Sequence, residues 1–183
     1  MKYHMKKRYV LGISLGLLSL LFAGCNQDDP SIEETAGKEI AGEWFVTYKV
    51  GTDDVGGGYS AIITSNTAAN VATEMLISDY VAPNSLTGNF WSYKVKAQLN
   101  PDSKTFTANE AVSSALVGAA QDPYDIKVNV LNGGVFKGMG HSKTGVKVDS
   151  IYFELQFEDD SSPFGTTYIV SGHKRTGFAA DDY

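Results

Sequence analysis

The sequence predicts an all-β fold, a single antiparallel β-barrel of about eight strands, with a β-sandwich as the alternative. Apolar and polar residues alternate with period two through most of the chain after Ala41, which is typical of half-buried antiparallel strands. Turn signals separate these runs at intervals of about ten residues. The 19 glycines, ten tyrosines and nine phenylalanines also favour turns and strands over helices. The barrel is preferred because a meander that closes on itself leaves no exposed sheet edge.

Three segments show the alternation most clearly, and they are EWFVTYKV at 43–50, FWSYKVKAQL at 90–99 and IYFELQFE at 151–158. Weaker strand patterns lie at 59–65, 73–79, 104–107, 126–131, 135–141 and 166–174. The sequences NPDS at 100–103 and NGG at 132–134 predict hairpin turns. The segment 110–120 fits neither a strand nor a helix clearly, so its structure is left open.

The N-terminus has the pattern of a lipoprotein signal peptide at residues 1–24. Met1–Arg8 contains four basic residues and no acid, and Val10–Ala23 is almost wholly apolar. The sequence LFAGC that ends at Cys25 resembles the lipobox of bacterial lipoproteins, and this resemblance implies that Cys25 is the lipid attachment site. Cys25 is the single cysteine of the chain, which excludes disulfides and thiolate catalysis within one mature chain.

Residues 25–40 are polar and acidic and predict a flexible tether, followed by the barrel domain at 41–183. The acidic pair Asp28 and Asp29 resembles the surface-export signal of lipoproteins in the Bacteroidetes. The expected location is therefore the outer membrane, on its periplasmic or cell-surface side, with the acylated Cys25 holding the protein at the membrane.

The charge balance argues against nucleic acid as a partner. Residues 1–24 hold four of the 15 Lys and Arg and none of the 21 acids, so the remaining chain has 11 basic residues and a formal net charge of −10. A domain this acidic lacks the basic surface that binds phosphate backbones. No motif indicates a cofactor, and no protein partner is identifiable.

Two stretches point to a particular kind of barrel closure. Gly42-Glu43-Trp44, in AGEWFV, resembles the Gly-x-Trp signature of lipocalins and other calycins. That resemblance implies that Trp44 closes one barrel end and that a basic residue of the last strand lies across its ring. Lys174 and Arg175, in SGHKRTGF, are the candidates for that residue.

The lipobox, the short tether, the barrel-like domain and the terminal GHKRTGF at 172–178 together resemble one family more closely. It comprises small Bacteroidetes lipoproteins described as lipid-binding putative hydrolases. The resemblance covers roughly Ala41 to the C-terminus and implies a calycin-like fold and a lipid-like ligand.

The residues themselves supply no catalytic or metal-binding motif. After the predicted signal peptide the chain has no Gly-x-Ser-x-Gly sequence, and its histidines there are His141 and His173, far apart and without zinc-ligand spacing. No catalytic residue and no metal ligand are therefore predicted. An esterase-like hydrolase that uses one of these histidines remains the least favoured alternative.

Binding is the function that the pattern favours. Six side chains on predicted strands are assigned to inward faces and are candidates for the lining of a ligand pocket: Trp91, Tyr93, Phe136, Met139, Phe153 and Phe157. We therefore expect an extracytoplasmic lipoprotein that binds a small apolar or amphiphilic, lipid-like ligand in its barrel. The alternative is a structural or accessory subunit of an outer-membrane assembly, whose barrel is packed solid.

Overall fold

A computed structural model describes residues 35–79 and 90–183 of the chain. The predicted signal peptide and the tether up to residue 34 lie outside these residues. The described part forms eleven strands: β1 (Gly42–Val50), β2 (Asp53–Asp54), β3 (Ser60–Ser65), β4 (Glu74–Ser78), β5 (Lys94–Asn100), β6 (Thr105–Val112), β7 (Ala115–Val117), β8 (Asp122–Tyr124), β9 (Lys127–His141), β10 (Lys147–Phe157) and β11 (Tyr168–Lys174). Within it, no helix has the length and apolar character needed to cross a membrane.

Eight of these strands form a closed antiparallel barrel, in the order β1, β3, β4, β5, β6, β9, β10 and β11. The barrel closes because β11 pairs with β1, in a register that runs from Trp44 opposite Lys174 to Lys49 opposite Ile169. The predicted barrel is confirmed. The β-sandwich is excluded, because it would place the first and last strands in separate sheets.

The segment 110–120, which the sequence left open, divides between two strands and a turn. β6 continues to Val112, and β7 then pairs with β8 as a separate two-stranded hairpin. Short β2 adds to the end of β1 through Lys49 and Val50. These additions all lie outside the closed ring of eight strands.

The barrel interior holds one continuous cluster of apolar side chains. Alternate residues of β10, from Ile151 to Phe157, are buried, while the residues between them are partly exposed. Each fully buried large apolar side chain contributes about 1.5–3 kcal/mol relative to an exposed one. The cluster includes Trp44, Tyr48, Tyr93, Phe106, Phe153 and Phe157. Ile40, just before β1, also belongs to it and is 1% exposed.

Strand β9 corrects two predictions made from the sequence. NGG at 132–134 is not a hairpin turn, because β9 continues through it as one strand with an irregular register against β10. Asn132 has a φ of 53°, which fits a bulge that shifts the alternation by one residue. Phe136 and Met139 are therefore not inward-facing: they are 48% and 73% exposed.

Candidate functional site at the barrel mouth

Strand pairing gives the barrel two different ends. At one end, which we call the plug end, β1 begins and β11 finishes. At the other end, which we call the mouth, β4 ends at Ser78, β5 begins at Lys94 and β10 ends at Phe157. The β7–β8 hairpin also joins the barrel at the mouth, because β6 ends there at Val112 opposite Lys127.

A buried carboxylate organises the mouth. The side chain of Asp79 accepts hydrogen bonds from the backbone amides of Phe90 (3.1 Å), Trp91 (2.8 Å) and Tyr93 (2.8 Å). Ser92 lies between them with a φ of 59°, in the left-handed region that non-glycine residues adopt rarely. Successive amides in such a turn form a concave site for an anion, and here the protein's own carboxylate occupies it.

Burial controls the ionisation of this group and of two neighbouring tyrosines. It raises the pKa of Asp79 from 3.8 to about 6, against the opposing effect of the amide hydrogen bonds. The hydroxyl groups of Tyr48 and Tyr93 lie 3.5 Å apart in the interior. Burial raises the pKa of both tyrosines well above 10.0, and the charge of Asp79 adds to it. Both hydroxyls therefore stay protonated at neutral pH.

Aromatic rings pack around this polar centre. The indole of Trp91 stacks on Phe157 with a centroid distance of 4.3 Å and an interplanar angle of 2°. Phe90 stacks on Tyr48 at 4.1 Å and meets Tyr168 edge-on at 5.4 Å. Such contacts contribute about 0.5–1.5 kcal/mol each beyond the area they bury, so the rings form a preorganised wall.

A cleft of about 400 Å³ opens at the mouth, and it is lined by Phe90, Trp91, Ser92, Val117 and Tyr124. Its volume lies within the range of small-molecule sites, about 300–1,000 Å³. Asp159 joins two of its walls, since its carboxylate accepts hydrogen bonds from the indole nitrogen of Trp91 (2.9 Å) and from the hydroxyl of Tyr124. The β7–β8 hairpin is thereby attached to the barrel beside the cleft.

The six candidate lining residues separate into three groups. Trp91, Tyr93 and Phe157 come together at the mouth. Phe153 is buried deeper, where it packs against Phe106 at 5.8 Å. The remaining two candidates of β9 lie on the outer surface, as described above.

Sequence reasoning missed Asp79, Phe90 and Tyr124. A signal for Asp79 was present, because the period-two pattern that buries Met75 and Ile77 places residue 79 on the same inward face. Tyr124 lies in β8, outside the strands predicted from the sequence, and no short-range pattern indicates that it reaches the mouth.

The plug end brings together the residues singled out for barrel closure. Trp44 is fully buried, and its indole nitrogen donates a hydrogen bond to the Thr64 hydroxyl at 2.8 Å. The ammonium nitrogen of Lys174 lies 5.6 Å from the centre of the Trp44 ring and donates to the carbonyl of Ala41 at 3.0 Å. A Cβ at residue 42 would lie 2.7 Å from Cε of Lys174, so a side chain there would displace the lysine from its present position.

Arg175 faces a different set of partners. Its guanidinium contacts Glu43 at 2.6 Å and binds the Asp182 carboxylate through two hydrogen bonds of 2.8 Å. It also lies over the ring of Phe45, 5.9 Å from the centroid. Arg175 therefore attaches the C-terminal segment to the outer face of β1, and Lys174 alone covers the tryptophan.

The two histidines lie away from the mouth. His141 is exposed at the end of β9, whereas His173 is 5% exposed on the outer face of β11. Phe45, Tyr59 and Tyr183 surround the imidazole of His173, and burial lowers its pKa. Within the described residues, no hydrogen bond joins either histidine to a serine.

Comparison with known families gives one match that spans the barrel. A family model described as lipid-binding putative hydrolase matches residues 29–179 of the chain. The matched range contains every strand of the barrel, both of its ends and the mouth cleft. No curated protein matches the chain.

Proposed function

The chain belongs to the family of lipid-binding putative hydrolases, and from this premise we propose that its barrel mouth binds a lipid-like amphiphile in a protein anchored to the outer membrane through Cys25. The observation that carries the binding proposal is the mouth cleft, whose aromatic walls stand over a loop fixed by Asp79. Because the same rings and loop are in place without a ligand, binding would cost little conformational entropy in the protein.

The cleft offers each part of an amphiphile a suitable contact. The rings of Phe90, Trp91 and Tyr124 supply apolar surface for an alkyl chain, at about 25 cal/mol per Å² removed from water. Carbonyl and carboxylate oxygens beside these rings supply polar contacts for a head group. Aromatic surface beside a few fixed polar groups is typical of small-molecule sites.

The anchoring part of the proposal rests on the sequence around Cys25. The ten peptide units from Cys25 to Thr35 span at most about 35 Å. An acylated Cys25 would therefore keep the barrel close to the membrane that supplies its ligand. More than one acyl chain makes such an anchor firm, at about 0.8 kcal/mol for each buried CH₂ group. We place the protein on the periplasmic or cell-surface side.

Native mass spectrometry tests the binding proposal. The mature chain with Cys25→Ser, purified without detergent, should retain or take up one amphiphile of defined mass. Trp91→Ala should lose it, because the substitution removes one wall of the cleft. Lys96→Ala, at an exposed residue of β5, should retain it. A protein that carries and accepts no amphiphile would contradict lipid binding and favour the accessory-subunit role.

Metabolic labelling tests the anchor separately. Cells that express the full chain and receive radiolabelled palmitate should label the wild-type protein. Cys25→Ser should abolish the label and leave the precursor unprocessed, because the only thiol of the chain is gone. Equal labelling of both proteins would exclude Cys25 as the attachment site.

A further inference from the structure

In the mouth loop two amides point toward Asp79, and the carbonyls of the same two peptide units point away from it. The amides of Trp91 and Tyr93 donate to the Asp79 carboxylate. All described peptide bonds are trans, so the carbonyl of each peptide unit points opposite to its amide. The carbonyl oxygens of Phe90 and Ser92 therefore point away from Asp79.

Two side-chain donors of the cleft, on Trp91 and Tyr124, are also occupied. The indole nitrogen of Trp91 and the hydroxyl of Tyr124 both donate to Asp159. An anionic head group binds proteins through such backbone amides and side-chain donors. In this cleft they already serve the protein's own carboxylates, Asp79 and Asp159.

Among the described residues, no buried basic side chain lies at the mouth. All eleven Lys and Arg residues after Cys25 lie in the described part of the chain, and none of them is buried. The ion pairs within the described residues include neither Asp79 nor Asp159. Lys127, which begins β9 at this end, is paired with Glu110 at 3.3 Å and Glu158 at 3.7 Å. Lys49 and Lys94 alternate with inward tyrosines and so face outward.

The aromatic walls favour a positive charge in the same place. The face of an aromatic ring carries partial negative charge, and tryptophan attracts cations most strongly. Trp91, Phe90 and Tyr124 line one cleft. Aromatic rings are the groups with which proteins surround quaternary ammonium ions. Here the Asp159 carboxylate, which has no ion-pair partner among the described residues, lies beside the rings.

From this arrangement we propose that the mouth cleft binds the ammonium head group of an amphiphile and discriminates against anionic head groups. The proposal rests on the proposed function, since it assigns the head-group chemistry of the same site. The alkyl chain packs on the aromatic walls, and the ammonium group lies among the ring faces beside Asp159. An anion at that position meets two carboxylates and no free donor from Trp91, Tyr93 or Tyr124.

Three probes that share the same decyl chain and differ in their head group test the head-group selectivity directly. Decyltrimethylammonium, decanol and decyl sulfate are titrated into the mature Cys25→Ser chain, each below its critical micelle concentration, at 0.15 M salt and pH 7.5. We expect the ammonium probe to bind about tenfold more tightly than decanol, which corresponds to about 1.4 kcal/mol and lies within the range of cation–π contacts. Decyl sulfate should bind most weakly.

Substitutions test whether ammonium binding and the preference for ammonium over decanol depend on the residues of the mouth cleft. Trp91→Ala should abolish ammonium binding. Asp159→Asn should reduce the preference for ammonium over decanol several-fold, because it removes the charge beside the head group. Asp102→Asn is the matched control, since it removes the same charge from an exposed turn at the plug end and should leave the preference unchanged.

The outcomes separate this proposal from the proposed function. Binding of decyl sulfate as tight as that of the ammonium probe would overturn the head-group assignment while leaving lipid binding intact. Ammonium binding that survives Trp91→Ala would overturn the assignment to this cleft. Failure of all three probes to bind the folded wild-type chain would overturn the proposed function and this proposal together. The comparison among wild-type affinities stands even where a variant does not fold.

Discussion

Lys174 lies across Trp44, with its ammonium nitrogen 5.6 Å from the ring centre, and the two residues face each other in the β1–β11 register. The contact joins the first strand of the barrel to the last at the plug end. The absence of a side chain at Gly42 leaves room for the methylene groups of Lys174. Closure of the sheet and shielding of the core thus depend on the same few residues.

Substitution of the pair should show unequal and coupled effects on stability. Trp44→Ala should lower the free energy of unfolding by about 3–5 kcal/mol, because it leaves a cavity in the core. Lys174→Ala should cost about 1 kcal/mol, since the ammonium group remains partly in water. Urea denaturation of both single variants and the double variant should reveal an interaction energy of about 0.5 kcal/mol or more.

The control for this cycle is Lys96→Ala, which removes a half-exposed lysine of β5 that pairs with Glu74. It should change stability by no more than about 0.5 kcal/mol. Strictly additive effects of Trp44→Ala and Lys174→Ala would show that the ring and the ammonium group do not interact in solution.

The inward face of β10 and the corrected outward face of β9 predict opposite responses when side chains are truncated. Phe153→Ala should cost about 3–5 kcal/mol, because Phe153 is fully buried against Phe106. Phe136→Ser and Met139→Ser should each change stability by about 0.5 kcal/mol or less, because both residues are on the outer surface. Chemical denaturation of the three variants measures the contrast.

A loss of several kcal/mol on Phe136→Ser would mean that the strand register places this ring inside the barrel. Val135→Ala supplies the matched comparison, since Val135 is the buried neighbour of Phe136 on the same strand. Its cost should exceed that of Phe136→Ser, although Phe136 is the larger side chain.

The sequence was most informative where the chain alternates regularly. β1, β5 and β10 follow from period-two patterns, which are local. The closure at Trp44 was implied by the resemblance of Gly42-Glu43-Trp44 to the calycin signature, which is also a local sequence. β9 was misassigned because NGG has the composition of a hairpin turn, and whether such a segment turns or bulges depends on its partner strands. The face of Phe136 was wrong for the same reason.

Some residues of the mouth could be predicted from local sequence patterns, but the contacts that join them could not. Trp91, Tyr93 and Phe157 were expected on inward faces, and they meet at the mouth. The hydrogen bonds to the Asp79 carboxylate instead come from backbone amides 11 to 14 residues further along the chain, and no side-chain pattern predicts them. The link from Asp159 to Trp91 spans 68 residues. Such contacts follow from closure of the barrel.

The C-terminal segment should depend on one buried carboxylate. Asp181 is 2% exposed and accepts hydrogen bonds from the amide and hydroxyl of Thr144 and from the hydroxyl of Thr176. Asp181→Ala should release Tyr183 from its contact with Phe45, at 5.1 Å, and accelerate the removal of Tyr183 by carboxypeptidase. Asp53→Ala, at an exposed residue of β2, is the control and should not change the rate.

Acid should release the same segment. The hydrogen bonds from Thr144 and Thr176 hold the pKa of Asp181 well below its usual range. A carboxylate with a lowered pKa contributes stability above its unfolded pKa, about 3.9, and this contribution disappears as the pH falls below that value. Carboxypeptidase cleavage does not suit such acid conditions, so the fluorescence of Tyr183 or its NMR signals should report the release. No change between pH 5 and pH 2.5 would contradict this role of Asp181.

Asp79 should make stability depend on pH in the opposite direction. Burial raises its pKa from 3.8 to about 6 in the folded protein, so between these values the folded state holds a proton that the unfolded state releases. The free energy of unfolding therefore decreases as the pH rises from about 4 to about 6. Two pKa units correspond to about 3 kcal/mol. Tyr48 and Tyr93, which face Asp79 from β1 and β5, do not titrate in this range.

Comparison with Asp79→Asn isolates this contribution, because His173 has a lowered pKa and opposes it in the same pH range. An asparagine at residue 79 directs an amide group at backbone donors and so lowers stability at every pH, but it does not titrate. The stability advantage of the wild type over Asp79→Asn in urea denaturation should therefore decrease by about 2.4 kcal/mol from pH 4 to pH 7, while its advantage over Asp102→Asn should change little. A wild-type advantage over Asp79→Asn that stays constant or grows with pH would show that the Asp79 carboxylate is not buried as described.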